Sequence, residues 1–248
     1  NNDITLDGAG HTITGDGSDD YWGVDTFGGD NITIKNLTVK YFGIGIRTSD
    51  TNNIIITGNT LRDNADDGIY SEGDEWLQIT NNVILGNARN GITIMWTGPG
   101  YGMDCQTNFE YQSHIPSFTV KQNTISGNQI DGIQATGSAN VCFFSNTVNS
   151  NGGDGFNIYN LQGGNSLFTN NVANDNTGGG FIFGGGSIHP DTFTGNSASN
   201  NGVVDYWSFD EESGDIAYDG SGNNNNGTLE NGPQWVDEIS GSDMGCAG

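Results

Sequence analysis

Through most of the chain, apolar and polar positions alternate in short runs, as in Ile54, Ile56 then Leu61, or Leu77, Ile79 then Ile84. A period of two predicts strands, and no stretch carries a helical period. The runs recur in units of about 23 residues, each holding two or three short strands with turn residues between them. One such unit is too small to bury its own apolar side, so successive units must stack and bury it together. Stacking pairs equivalent strands in parallel, with a rise of about 4.8 Å per coil.

The register of the stack is marked by asparagine. Asn59, Asn82, Asn123, Asn146, Asn171 and Asn196 each open the same phrase, with gaps of 23, 41, 23, 25 and 25 residues. A second column follows five residues later, at Asn64, Asn87, Asn128, Asn151, Asn176 and Asn201. Gly68, Gly91, Gly132, Gly155 and Gly180 form a third, each followed by Ile or Phe. An earlier coil fits with Leu37 in the first column and with Gly45 and Ile46 closing it.

Stacking predicts interior columns of like residues. One contains Ile56, Ile79, Val120, Phe143, Phe168 and Phe193; the other contains Leu61, Ile84, Ile125, Val148, Ala173 and Ala198. Toward the C-terminus Phe stands opposite Ala, an exchange that keeps core volume constant. The Asn columns are expected to form amide ladders, with the Asn itself in the left-handed conformation. The Gly column is expected to serve a bend with positive φ.

The phrases Ile-Thr-Gly-Asn-Thr-Leu-Arg-Asp-Asn (56–64) and Val-Lys-Gln-Asn-Thr-Ile-Ser-Gly-Asn (120–128), with Asp-Gly-Ile downstream, resemble the right-handed parallel β-helix repeats of NosD-like and pectate-lyase-like proteins. The resemblance covers residues 1 to about 202. It implies an all-β fold, a right-handed parallel β-helix (solenoid) of about 8 coils. It is specific for fold and poor for function, because such coils serve lyases, hydrolases, adhesins and surface proteins alike.

A second resemblance begins at Val204-Asp205-Tyr206-Trp207 and continues through Gly232-Pro233-Gln234-Trp235-Val236. It is similar to the first strands of laminin-G-like, concanavalin-A-like domains, and implies a short partial β-sandwich-like segment or cap over 203–248. Only part of such a domain fits there, and the first coil opens directly on strand, so the parent protein is expected to extend past both ends. Exposed coil ends also raise head-to-tail self-association.

The chain has 30 acidic residues against 6 Lys and Arg, a formal charge of −24. That balance argues against nucleic acid and anionic membrane as partners. No apolar run reaches the length of a membrane span, which argues against direct insertion. The acidity and the fold resemblance point to an extracellular or cell-surface setting. An odd count of three cysteines, Cys105, Cys142 and Cys246, defines no disulfide framework. Cys105 and Cys142 meet if the loop between them folds back; otherwise they are separate thiols.

Three groups carry candidate chemistry. The longest gap holds an insertion of roughly 18 residues, about 95–117. Its Trp96, Tyr101 and Tyr111 suit stacking on sugar rings, and Asp104, Glu110 and His114 suit hydroxyl binding or proton transfer. A loop folded on its own aromatics accounts for the same residues. The column before the Gly contains Asp67, Asn90, Asp131 and Asp154. Neighbouring coils would set the Asp131 and Asp154 carboxylates about 5 Å apart, near a retaining-glycosidase separation, and Asp67 and Asp131 near 10 Å. The same spacing suits calcium, although Asp before Gly is also the ordinary way to build a turn. In the C-terminal segment, Asp210, Asp219, Asn223 and Asn225 are oxygen donors of the kind that hold a structural calcium in related domains.

Lyases of the resembled fold act on acidic polysaccharides and need calcium or clustered basic groups. Here the six basic residues form no cluster, and His11, His114 and His189 show no metal-ligand spacing. The leading expectation is therefore a scaffold, adhesin or glycan-binding protein with a polysaccharide or surface-glycan partner. The alternative is a carbohydrate-active enzyme, a polysaccharide lyase or glycoside hydrolase, with its cleft on the β-helix face.

Overall fold

A computed structural model describes residues 2–95, 118–137, 141–160, 166–184, 190–202, 213–218 and 226–228. The chain divides into two compact units, residues 1–202 and 203–248. Among the described residues of the first unit there is no helix, and three parallel sheets hold eight, eight and seven strands. One coil contributes one strand to each sheet, as in Glu75–Thr80, Val83–Leu85 and Ile92–Met95. Within each sheet every strand but the first and last pairs with its equivalents one coil before and one coil after. The 41-residue gap is absorbed without loss of register, since Leu77 still faces Phe118 and Ile92 faces Ile133.

The predicted interior columns are direct neighbours. Ile56, Ile79, Val120, Phe143, Phe168 and Phe193 follow one another in the first sheet. The Phe143 and Phe168 rings stack at 4.8 Å, and Phe156 and Phe181 stack at 4.7 Å from the third sheet. Such pairs add about 0.5–1.5 kcal/mol to the burial of their area.

Both asparagine columns form continuous ladders. Asn82 donates its backbone N–H and its amide to Asn123 Oδ1, at 2.9 and 3.1 Å, and its amide also reaches the Ile56 carbonyl at 2.9 Å. Asn123 repeats this toward Asn146 and the Ile79 carbonyl. The left-handed residue is not the ladder Asn but the one before it: Gly58, Asn81, Gln122, Ser145, Asn170 and Gly195 in the first column. The ladder Asn must keep its amide inside to meet both neighbours, so the exposed residue ahead of it makes the bend.

The third column also differs from expectation, because Gly68, Gly91, Gly132, Gly155 and Gly180 have no positive φ. Space is what they supply. A Cβ on Gly132 would lie 2.1 Å from Val148 Cγ1 and 2.8 Å from the Gly155 carbonyl oxygen. The chain therefore passes too close to the next coil for any side chain at this corner.

Cys142 faces away from the apolar interior, is buried, and is disulfide-bonded. Its partner lies outside the described residues. In the second unit, Ile216–Ala217 pairs antiparallel with Gly227–Thr228.

Candidate functional site

The third sheet carries a row of outward polar side chains that differ in chemistry from coil to coil, flanked by the aromatic rings of Trp22, Tyr70 and Tyr159. Its strands are Trp22–Phe27, Ile44–Ser49, Ile69–Glu72, Ile92–Met95, Ile133–Thr136, Phe156–Tyr159 and Phe181–Gly184. Ile46, Ile69, Ile92, Ile133 and Phe156 fill the interior. The residue after each of these points the other way, as the two-residue pleat requires. This gives an outward row of Asp25, Arg47, Tyr70, Thr93, Gln134 and Asn157, each in register with the next. A second row runs through Glu72, Met95, Thr136 and Tyr159.

Adjacent members of these rows are tied together. Arg47 Nη1 donates to Asp25 Oδ1 at 3.1 Å, and its guanidinium lies 4.5 Å from the Trp22 ring centroid. Tyr70 donates its hydroxyl to Glu72 Oε2 at 3.2 Å. Burial and then the Glu72 charge hold the Tyr70 phenol above its usual range. Asn90 donates from the edge of the sheet to Thr93 Oγ1 at 3.0 Å and to Gln134 Oε1 at 3.3 Å. Asn157 donates to Asp131 Oδ2 at 2.7 Å.

Asp67, Asp131 and Asp154 line the turn edge of this sheet, with Asn90 continuing the column. Each gives one side-chain oxygen to the backbone of the next coil. Asp67 Oδ1 accepts the Asn90 N–H at 2.9 Å, Asn90 Oδ1 the Asp131 N–H at 2.9 Å, Asp131 Oδ1 the Asp154 N–H at 2.8 Å, and Asp154 Oδ1 the Gly179 N–H at 2.7 Å. Burial pushes the Asp67 carboxyl up to about 6, against the opposing pull of the Asn90 N–H and the Thr93 hydroxyl. Its Oδ2 is buried without a well-formed hydrogen bond. Asp154 is also raised, by burial first and then by the charge of Asp131 despite the Gly179 N–H.

Trp96, Tyr101, Asp104, Glu110, Tyr111 and His114 lie outside the described residues, as do Asp210, Asp219, Asn223 and Asn225. The insertion leaves the third sheet after Met95 and rejoins the stack at Phe118. Among the described residues, no three His, Cys, Asp or Glu side chains gather as a metal site.

Two features escaped the sequence reading. The outward row was signalled by the position two residues after each Gly of the third column, at Arg47, Tyr70, Thr93, Gln134 and Asn157. The other is Asp74, buried at a corner between sheets. Thr48 and Ser71 donate hydroxyls to its Oδ2, and the Thr51 N–H donates to Oδ1 at 2.8 Å. Burial raises its carboxyl despite these donors. Nothing in the local sequence signals it, because its partners come from two neighbouring coils.

Comparison with known proteins bears on the fold. The sequence matches the family described as "right handed beta helix region" over residues 2–109 and 108–231. Among curated proteins none matches. Among solved structures, the periplasmic alginate epimerase AlgG aligns at 15% identity and a TM-score of 0.52, over 81% of this chain and 45% of AlgG. The A-module of the mannuronan C-5 epimerase AlgE4 of Azotobacter vinelandii aligns at 12% identity and a TM-score of 0.30, over 67% of this chain and 64% of the module. The chain thus spans less than half of AlgG, and identity this low shows a shared fold and nothing finer.

Proposed function

The chain belongs to the right-handed β-helix family, and from that premise we propose that it is a non-catalytic glycan-binding scaffold that holds a polysaccharide along the outward face of its third sheet. The observation that carries this reading is the row Arg47, Tyr70, Thr93, Gln134 and Asn157. It offers a partly exposed hydrogen-bonding side chain on every one of these coils but that of Thr93, which is buried, with coils about 4.8 Å apart, comparable to the rise of one pyranose unit in an extended chain. Trp22 beside Arg47, and Tyr70 and Tyr159 on the sheet, add ring faces for stacking. The coil stack fixes these groups rigidly, so little ordering accompanies binding.

Asp67, Asp131 and Asp154 serve in this reading as ties between coils, since each already holds the backbone of the next. The name of AlgG, an alginate epimerase, is consistent with a glycan partner for this fold. The disulfide at Cys142 supports an oxidising location, extracellular or periplasmic.

Affinity electrophoresis over a panel of soluble polysaccharides tests the proposal. At least one polymer is expected to retard the protein, with retardation reduced in Tyr70→Ala and Gln134→Ala. Failure of every polymer to bind overturns it. Release of reducing ends or of unsaturated sugars, lost in Asp131→Asn and Asp154→Asn, would instead establish the enzyme.

A further inference from the structure

Resting on the glycan-binding reading, we propose that the third-sheet face selects neutral, hydroxyl-rich chains and rejects polyuronates. A polyuronate presents a carboxylate on every sugar, so its recognition along a coil stack calls for cations repeated along the face. The chain has 6 Lys and Arg, all within the described residues. Arg47 alone stands in the outward rows of the third sheet, and Asp25 and the Trp22 ring already engage it. Lys35 is paired with Asp7 at 3.3 Å, Arg62 with Asp63, and Arg89 with Asp66 at 3.1 Å. Lys40 is on the second sheet over the Tyr41 ring, and Lys121 is on the first.

The face is instead rich in acceptors. Asp25 and Glu72 stand in its rows, and Asp67, Asp131 and Asp154 along its edge. Two acceptor atoms, Asp67 Oδ2 and Asn157 Oδ1, are buried without a well-formed hydrogen bond, and Asp67 itself is fully buried. Neither atom reaches the surface, so contact with a polymer falls to the more exposed acceptors Asp25 and Glu72, which take a hydrogen bond from a sugar hydroxyl and none from a carboxylate. A polyuronate would also meet the like charge of Asp25 and Glu72 in the rows themselves.

The experiment compares the intact protein on a neutral galactomannan and a mixed-linkage glucan with alginate and polygalacturonate, at low and high salt. A neutral polymer is expected to bind, with the two polyuronates weaker by about tenfold or more at low salt and the gap narrowing as salt screens the repulsion. Asp25→Asn, which leaves Arg47 without its counter-ion, is expected to shift the ratio toward the polyuronates. Alginate or polygalacturonate binding as tightly as the neutral polymers overturns the proposal and leaves the glycan-binding reading standing. Absence of binding to all four, with no binding elsewhere in a wider panel, removes that reading and this proposal together.

Discussion

The backbone N–H of Asp154 donates to Asp131 Oδ1 at 2.8 Å, which makes Asp131 a tie between two coils as well as a residue on the edge of the third sheet. Asp131 Oδ2 meanwhile accepts from Asn157. Asp131→Ala removes both acceptors and leaves buried donors unanswered, at a cost of about 1–3 kcal/mol. Asp131→Asn retains one amide oxygen for the Asp154 N–H, as Asn90 does for Asp131, and is expected to lose less than half as much. Urea unfolding of the two variants checks the order; equal losses would sink the tie.

Asp67 gives the fold a pH dependence of defined sign. Its folded-state value of about 6 stands above the ordinary 3.8, so the native state holds this proton more tightly than the unfolded chain does. Its contribution is therefore full below the ordinary value and is lost as pH rises through about 6. Asp74 and Asp154 are shifted in the same direction and add to the slope. Asp67→Asn keeps an acceptor for the Asn90 N–H without the buried charge. The variant is expected to exceed the parent in stability at pH 7.5, by on the order of 1–3 kcal/mol, and to match or fall below it at pH 4. Denaturant curves with the same pH profile for both proteins would contradict this.

Gly132 is required for space, not for its backbone angle. A methyl group there meets Val148 Cγ1 at 2.1 Å and the Gly155 carbonyl oxygen at 2.8 Å. Gly132→Ala is expected to destabilise by roughly 1–3 kcal/mol or more, the range of overpacked cores. Adding Val148→Ala removes the closer clash, and one coil later, where Ala173 stands in that column, a Cβ added to Gly155 would meet Ala173 Cβ at 3.0 Å. The double variant is thus expected to recover part of the loss, with a coupling visible in a thermodynamic cycle. A strictly additive pair would show that the carbonyl contact alone decides the cost.

The coil stack was legible because Asn59, Asn82 and Asn123 recur with the same neighbours, and a repeated residue announces its own register. The cause of the Gly column was not, since the need at Gly132 is set by Val148 and Gly155 in the next coil. The outward row was hidden for a different reason. Arg47, Tyr70, Thr93, Gln134 and Asn157 share no chemistry, so their common place two residues after a Gly is the one mark of them in the sequence, and the strand register gives it meaning. Asp74 needed both: its donors Thr48, Thr51 and Ser71 lie up to 26 residues away.

The ladders predict that the cost of losing an asparagine depends on its place in the stack. Asn123 is buried between coils, accepts from the backbone and side chain of Asn82, and donates to the Ile79 carbonyl and to Asn146. Asn123→Ala strands groups on both sides where water cannot reach, so about 2–5 kcal/mol is expected from the several bonds lost. Asn196 is only partly buried; it accepts from Asn171 and donates to the Phe168 carbonyl. Asn196→Ala leaves groups that solvent can partly satisfy, and a loss nearer 1 kcal/mol is expected. Thermal or urea unfolding of the two variants, made singly, measures the difference. If Asn196→Ala costs as much as Asn123→Ala, the ladder does not draw its strength from exclusion of water.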